Sequence, residues 1–416
     1  MRNVVLVDPY SAGSALAPAF AERGVPAVAV LTTPEPTASF ASTWHQENFV
    51  ETFVLDDVDK LARRLRELDP LCVLPGTETG VEAAEHLSEL VLPGQSNVLE
   101  LSAARRDKWL MGVALADAGV PHLRQLSSSD PGEVAEWLRA NDLSDSAIVV
   151  KPQNSAGADD VFVTRPGEDW RPLFDRILGS VNRLELPNTQ VLVQELAEGV
   201  EYEVDTYSVD GAHGLVSVWR YAKQRQGNRL GVYLSTTVVP PGDEVIAPLF
   251  AYVRRVLDAV GLRNGPAHVE VMLTPSGPRL IEVGARLAGS DQQDVTRLAV
   301  GDSQVDRTVR HWVDRKHAVS GYELLRHVRS VYLSAPSTGV LRNAERLARL
   351  DELLPTFHSA VIAHREGSTV SRTVDLWTSL GHVVLASDDA AAIEADEQLI
   401  RKIESELSVE PSSSTA

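Results

Sequence analysis

Cysteine is almost missing from this chain. Cys72 is the only one in 416 residues, so an internal disulfide is excluded. It sits in the apolar run Leu71-Cys72-Val73-Leu74, where a lone thiol behaves as a small core hydrophobe; a catalytic cysteine is the minor alternative. Long hydrophobic runs are missing too. No stretch of about 18 apolar residues occurs, so no membrane-spanning helix is expected. Met1-Arg2-Asn3 leads straight into a short β-like run and lacks the apolar core and cleavage pattern of a signal peptide. A cytoplasmic location is the expectation. Basic residues are scarce, with 39 Lys+Arg against 58 Asp+Glu and a formal net charge of -19. That balance disfavours general affinity for nucleic acid or anionic membranes. Any anion site must therefore gather its few cations locally. No internal repeat is visible.

At roughly 150 residues per domain, the length implies two or three domains. Val4–Val7, Val28–Leu31 and Cys72–Leu74 read as buried strands, separated by helical stretches at 14–23 and 57–67; another helix spans 77–90. Strands alternating with helices argue for a parallel α/β layer, ending near residue 100. Residues 102–118 read as a helix capped by Ser102, with Gly119 and Pro121 after its end. Strands are expected at 147–152, 189–194 and 201–208, an irregular hairpin at 219–237 and a helix at 246–260. Beyond about 331 the pattern returns to short strands (359–364, 373–377, 383–386) and a final helix at 390–407.

The segment around Thr274-Pro275-Ser276-Gly277 is the most informative. A hairpin symmetric about Ser276 sets Glu270 opposite Glu282, Val269 opposite Val283 and Val271 opposite Ile281. Period-two alternation puts both glutamates on one face. Opposed like charges are destabilising unless the two share a proton, meet basic groups or bind a cation, and magnesium suits hard carboxylates. Arg286 has the parity of Glu282 and could fork onto a phosphate or carboxylate. A solvated hairpin face carrying two unrelated glutamates is the alternative.

Lys151 ends an apolar strand and precedes the small-residue loop Gln153 to Asp160, with Ser155, Ala156 and Gly157. Such a loop lets backbone N–H groups approach phosphate. Asp159 and Asp160 would repel phosphate unless turned outward. Lys108 lies in the 102–118 helix, where a solvated face is the plainer reading. Gln194, Glu195, Leu196 and Ala197 form a short hinge whose backbone can pair with adenine. Glu201 just beyond can accept bonds from ribose, and Glu201, Glu203 and Asp205 share a face that an exposed acidic strand would also explain. Glu78, after the strand ending near Pro75, stands where α/β sheets place ligands, but an acid at a helix start accounts for it more simply.

The order of Lys108, Lys151 with its loop, the Gln194–Glu201 hinge, Glu270 and Glu282 resembles the ATP-grasp superfamily over roughly residues 1–330. Asp107 to Met111, Val150 to Gly157 and Ile281 to Arg286 resemble its L-amino acid ligase branch. The resemblance implies an N-terminal parallel α/β domain (1–100), an ATP-grasp small lobe with linker helix (101–200), a large lobe (201–330), a small C-terminal β-rich piece (331–410) and a disordered tail (411–416). It implies that Lys108 and Lys151, with the loop, hold phosphates of ATP. Gln194, Glu195 and the backbone of Leu196 and Ala197 would hold adenine, and Glu201 ribose. Glu270 and Glu282 would hold one or two Mg2+ ions, with Mn2+ as a substitute. Arg286 would steady an acyl phosphate. Gly284 stands where many superfamily members have asparagine.

These assignments imply an ADP-forming carboxylate–amine ligase that works through an acyl phosphate, with amino-acid-like partners, no nucleic acid and no membrane. Oligomeric state is open, a homodimer being one option. Lids are expected at 153–160 and 221–231, where Lys223, Arg225 and Arg229 would meet phosphate or substrate carboxylate, or form a basic surface turn. The rivals are a carboxylase, disfavoured by the lack of a biotin-attachment Met-Lys pair, and an ATP-binding module without turnover.

Overall fold

The computed structural model describes residues 2–315 and 321–411. Of the tail expected at 411–416, residues 412–416 lie outside them. Among the described residues no helix is long and apolar enough to cross a membrane.

The first sheet is wholly parallel, in the order Phe49–Val54, Ala27–Leu31, Val4–Val7, Cys72–Pro75. Val4–Val7 and Ala27–Leu31 are buried throughout, because helices cover both faces of a parallel layer. Cys72 lies inside this core. Asp8 ties the strand ends together: its carboxylate accepts from Thr32 N at 2.8 Å, Thr32 Oγ1 at 2.6 Å and Thr79 Oγ1 at 2.6 Å. The Phe49–Val54 strand was not read from the sequence; it is the edge strand and only partly buried, so it shows no clean apolar run.

The second sheet is long, and a small third sheet of Thr369–Val370, Gly339–Arg342 and Ser408–Glu410 lies in the C-terminal part. The long sheet runs from the Gly265–Thr274 and Gly277–Gly284 hairpin through Val200–Val209, Ala212–Gln226 and Arg229–Val238. It then crosses by one pairing, Arg229 with Phe162, to Ile148–Pro152, Val191–Glu195 and Gln125–Ser128. His327–Leu333 pairs with Arg229–Val238 and adds Gly381–Ser387 and Phe357–Ile362. Alternation sorts the two faces. Val204, Val269, Val271 and Val283 pack with Leu249, Val253 and Val256 of the Ile246–Ala259 helix. Full burial of each such side chain stabilises the fold by about 1.5–3 kcal/mol. Their neighbours Glu203, Asp205, His268 and Glu270 take the opposite face.

Several elements differ from the sequence reading. The helix expected at 102–118 is a 3-10 turn over Ala103–Arg105 followed by an α-helix over Lys108–Asp117. Ser102 does not cap it, because its hydroxyl donates to buried Glu85. Asp107 caps it instead, accepting from Trp109 N at 2.8 Å and Leu110 N at 3.0 Å. The stretch 14–23 splits into a 3-10 turn and a short helix over Leu16–Ala21. The strand expected at 373–377 is replaced by a capped 3-10 turn at Leu376–Thr378. The helices Pro131–Ala140, Gln292–Val300 and Gln304–Asp314 were not read from the sequence at all.

Candidate active site

A chamber of about 510 Å³ lies where the first sheet's strand ends meet the polar face of the second sheet. Lys108, Lys151, Ser155, Ala156, Gly157, Gln194, Glu195, Leu196, Ala197, Glu201, Lys223, Glu270, Glu282 and Arg286 all line it.

The hairpin was expected to be symmetric about Ser276, and it is not. Its turn is a tight two-residue one, with Thr274 opposite Gly277, and Val271 faces Leu280 rather than Ile281. A bulge then leaves Ile281 unpaired, and beyond it Glu270 faces Glu282 and Val269 faces Val283. Tyr252 supports the bulge: its hydroxyl accepts from Leu280 N at 2.8 Å and donates to Pro121 O at 2.7 Å.

Cations gather around these carboxylates. Lys108, first residue of its helix, donates from Nζ to Ser155 O at 2.8 Å and lies 3.1 Å from Glu282 Oε1. His268 Nε2 is 3.6 Å from Glu270 Oε1. Burial opposes charge on Glu270, but Lys223, His268 and Lys108 outweigh it and hold its carboxyl well below the usual range. Lys151 is buried and its Nζ donates to Gln194 Oε1 at 3.1 Å. Burial, helped by repulsion from Lys108, pulls the Lys151 ammonium down to about 8.

The Val200–Val209 strand presents Glu201, Glu203 and Asp205 to the interior, so the exposed acidic face that the sequence allowed is absent: all three are buried. Glu201 pairs with Lys223 at 2.6 Å. Lys223 lies between the rings of Tyr221 and Tyr233, 4.7 and 4.3 Å from their centroids. Tyr221 donates to Glu203 at 2.5 Å and lies 3.5 Å from Glu270. Glu203, Asp205 and His268 form a compact group of potential ligand atoms beside Glu270. The sequence reading missed Tyr221, Tyr233 and His268, although the spacing His268-Val269-Glu270 already put that histidine on the carboxylate face.

The hinge side chains are engaged by Arg124 and Gln125. Gln194 donates to Gln125 Oε1 at 2.9 Å, and Glu195 accepts from Arg124 N and Nε at 2.8 and 2.7 Å. Leu196 and Ala197 stay on the chamber wall. In the phosphate-type loop, Gly157, Ala158 and Asp160 have φ of 68°, 61° and 48°. Asp159 accepts from Arg183 N at 2.9 Å, and Asp160 pairs with Arg229 at 3.1 Å. The Arg183 guanidinium also lies 3.5 Å from Asp159, so each acid has an arginine beside it. Arg225 donates to the carbonyls of Val163 and Thr164 at 3.1 and 3.0 Å, which is a structural role.

Glu78 is neither exposed nor a simple helix-start acid. It is 2% exposed and accepts from Arg286 Nε at 2.6 Å and Arg106 Nη1 at 2.5 Å. Burial works against its charge, but Arg286, Arg106 and Lys108 prevail and depress its pKa strongly. Glycine at 284 leaves room for this arrangement, since a Cβ there would lie 3.2 Å from the Arg286 guanidinium carbon.

Residues 144–294 match the ATP-grasp domain. The chain is 29% identical to dapdiamide A synthase of Enterobacter agglomerans, across 97% of this chain and 96% of that one. It is 24% identical to the L-arginine-specific L-amino acid ligase of Bacillus subtilis over 34% of each chain. The crystal structure of an L-amino acid ligase from Bacillus licheniformis shares the fold, with a TM-score of 0.72 at 15% identity over 99% of both chains.

Proposed function

We infer that this chain is an ATP-dependent carboxylate–amine ligase that joins amino-acid-like substrates and releases ADP and phosphate. The observation that carries the reading is the Glu270–Glu282 pair, set opposite each other on the wall that also holds Lys108, Lys151 and Arg286.

An acid and an amine do not condense readily in water, because hydroxide is a poor leaving group. Transfer of the γ-phosphoryl group to the carboxylate oxygen gives an acyl phosphate and ADP. The amine then attacks the acyl carbon, loses a proton, and phosphate departs. In our reading Lys108 and Lys151 hold the α- and β-phosphates, with the Ser155-Ala156-Gly157 backbone beside them. The backbone at Gln194 to Ala197 takes adenine, and Glu201 takes ribose with Lys223 setting its orientation. Arg286, braced by Glu78, steadies the acyl phosphate.

Hard, opposed carboxylate oxygens with phosphate oxygens nearby are the donor set that magnesium prefers, so Glu270 and Glu282 fit one or two such ions, with manganese as a substitute. Held by Glu270 and Glu282, such an ion would supply positive charge against the negative charge developing on the transferred phosphoryl group. The test is a screen of amino-acid pairs for ADP release with mass detection of products. Amide formation dependent on both an acid and an amine supports the reading. ATP binding without turnover on any pair refutes it.

A further inference from the structure

Trp377 belongs to the C-terminal segment, yet it lies against the phosphate-type loop. It sits in the 3-10 turn Leu376–Thr378, which is fixed by a reciprocal cap: Asp375 Oδ1 accepts from Thr378 N at 2.9 Å, and Thr378 Oγ1 accepts from Asp375 N at 3.2 Å. The indole covers Gly157 so closely that a Cβ there would lie 2.5 Å from Trp377 Nε1. The Arg183 guanidinium lies over the ring, 5.6 Å from its centroid. Ala156 and Trp377 pack with Tyr10, Phe40 and Leu184 in one apolar cluster. That cluster joins the first sheet, the small lobe and the C-terminal segment.

A second cover meets the loop from the Ala212–Gln226 and Arg229–Val238 hairpin. A Cβ at Gly231 would come within 2.5 Å of Ala158 Cβ. The loop is therefore gripped from both sides, and Trp377 forms part of the chamber wall. Its Nε1 is buried with no hydrogen-bond partner. A buried indole N–H normally finds one, so local hydrogen bonding does not explain where this ring sits. Coverage of the loop does.

We propose that Trp377 is a positioning residue that holds the 153–160 loop down and keeps water from the acyl phosphate. This rests on the ligase reading. If water reaches the acyl phosphate, its oxygen attacks the acyl carbon and the bond to phosphate breaks. A proton is lost to solvent, and the original carboxylate and phosphate result. ATP is then consumed with no amide formed.

The readout is amide formed per ADP released, using the amino-acid pair that gives the fastest ADP release. Wild type should run near one to one. In Trp377→Ala the ratio should fall to less than half, while ADP release persists. Trp377→Phe, which keeps a ring over Gly157, should stay near the wild-type ratio. Loss of folded protein lowers both products together and leaves the ratio unmoved, so the ratio separates shielding from mere stability. If Trp377→Ala does not fold, Trp377→Leu serves, with a ratio between those of wild type and full leakage. A wild-type ratio in folded Trp377→Ala or Trp377→Leu overturns the proposal and leaves the ligase reading intact. A wild type that makes no amide from any pair overturns both.

Discussion

Glu270 stands opposite Glu282 only because Ile281 is the unpaired residue of a β-bulge. A two-residue turn with regular pairing would set Glu270 against Ile281 and Glu282 against Val269, turning Glu282 toward the hydrophobic face and Val283 toward the polar one. The bulge moves the register by one, which reverses the side every later residue faces. Bulges recur next to active sites for this reason.

The first prediction concerns the pair itself. Glu282→Gln keeps the shape and a hydrogen-bond acceptor for Lys108 but removes the charge. ADP formation should drop by about 10²-fold or more, the scale of losing one electrostatic stabiliser at a reacting phosphoryl group, with the circular dichroism spectrum unchanged. Undiminished ADP formation would sink the metal-ligand assignment.

Tyr252 should matter more than its distance from the chemistry suggests. Its hydroxyl is the acceptor for Leu280 N, beside the bulge. Tyr252→Phe leaves that buried N–H without a partner, at a cost of about 1–3 kcal/mol. Chemical denaturation should show the loss. Turnover should fall as well, because the bulge that aims Glu282 is loosened. A variant as stable and active as wild type would show that the bulge holds itself.

Lys151 gives a pH dependence with a definite sign. Its ammonium titrates near 8 in the free protein, so above that pH the site loses a cation. ATP affinity should weaken as pH rises through about 8. Binding at that pH should take up a proton, seen by calorimetry in buffers of different ionisation enthalpy. Lys151→Arg, which does not titrate in this range, should bind without proton uptake.

Glu78 links stability to pH in the opposite direction. Its carboxyl is held below its ordinary value of 4.5 by Arg286 and Arg106 against the effect of burial. A depressed folded-state value contributes stability that is fully present above the unfolded value and is lost as pH falls beneath it. Glu78→Gln should therefore be less stable than wild type at pH 7, by on the order of 3 kcal/mol for breaking a buried pair. The gap should narrow as pH drops below the ordinary glutamate value. A gap constant across that range would mean the charge contributes nothing.

Much of the site was legible because its signals are local. Lys151 at a strand end, the small residues after it, and the glutamates sharing parity with Arg286 are all short-range patterns. Their common order along the chain pointed to the class of protein. What the patterns hid were partners distant in sequence. Glu78 was visible after its strand, but Arg286, 208 residues away, was not visible as its partner. Ser102 looked like a helix cap until Glu85 took its hydroxyl. The strand expected at 373–377 had the right composition, yet Asp375 and Thr378 cap each other more favourably as a turn.

The sequence by itself determined which side chains could do chemistry and which of them share a face within each unbroken run of a strand, since side-chain alternation is a property of the backbone alone. Tertiary structure decided which of them meet. It placed the bulge at Ile281, brought Glu78 to Arg286 and laid Trp377 over Gly157. Each of these depends on how separate elements pack, and packing depends on contacts that no local pattern encodes.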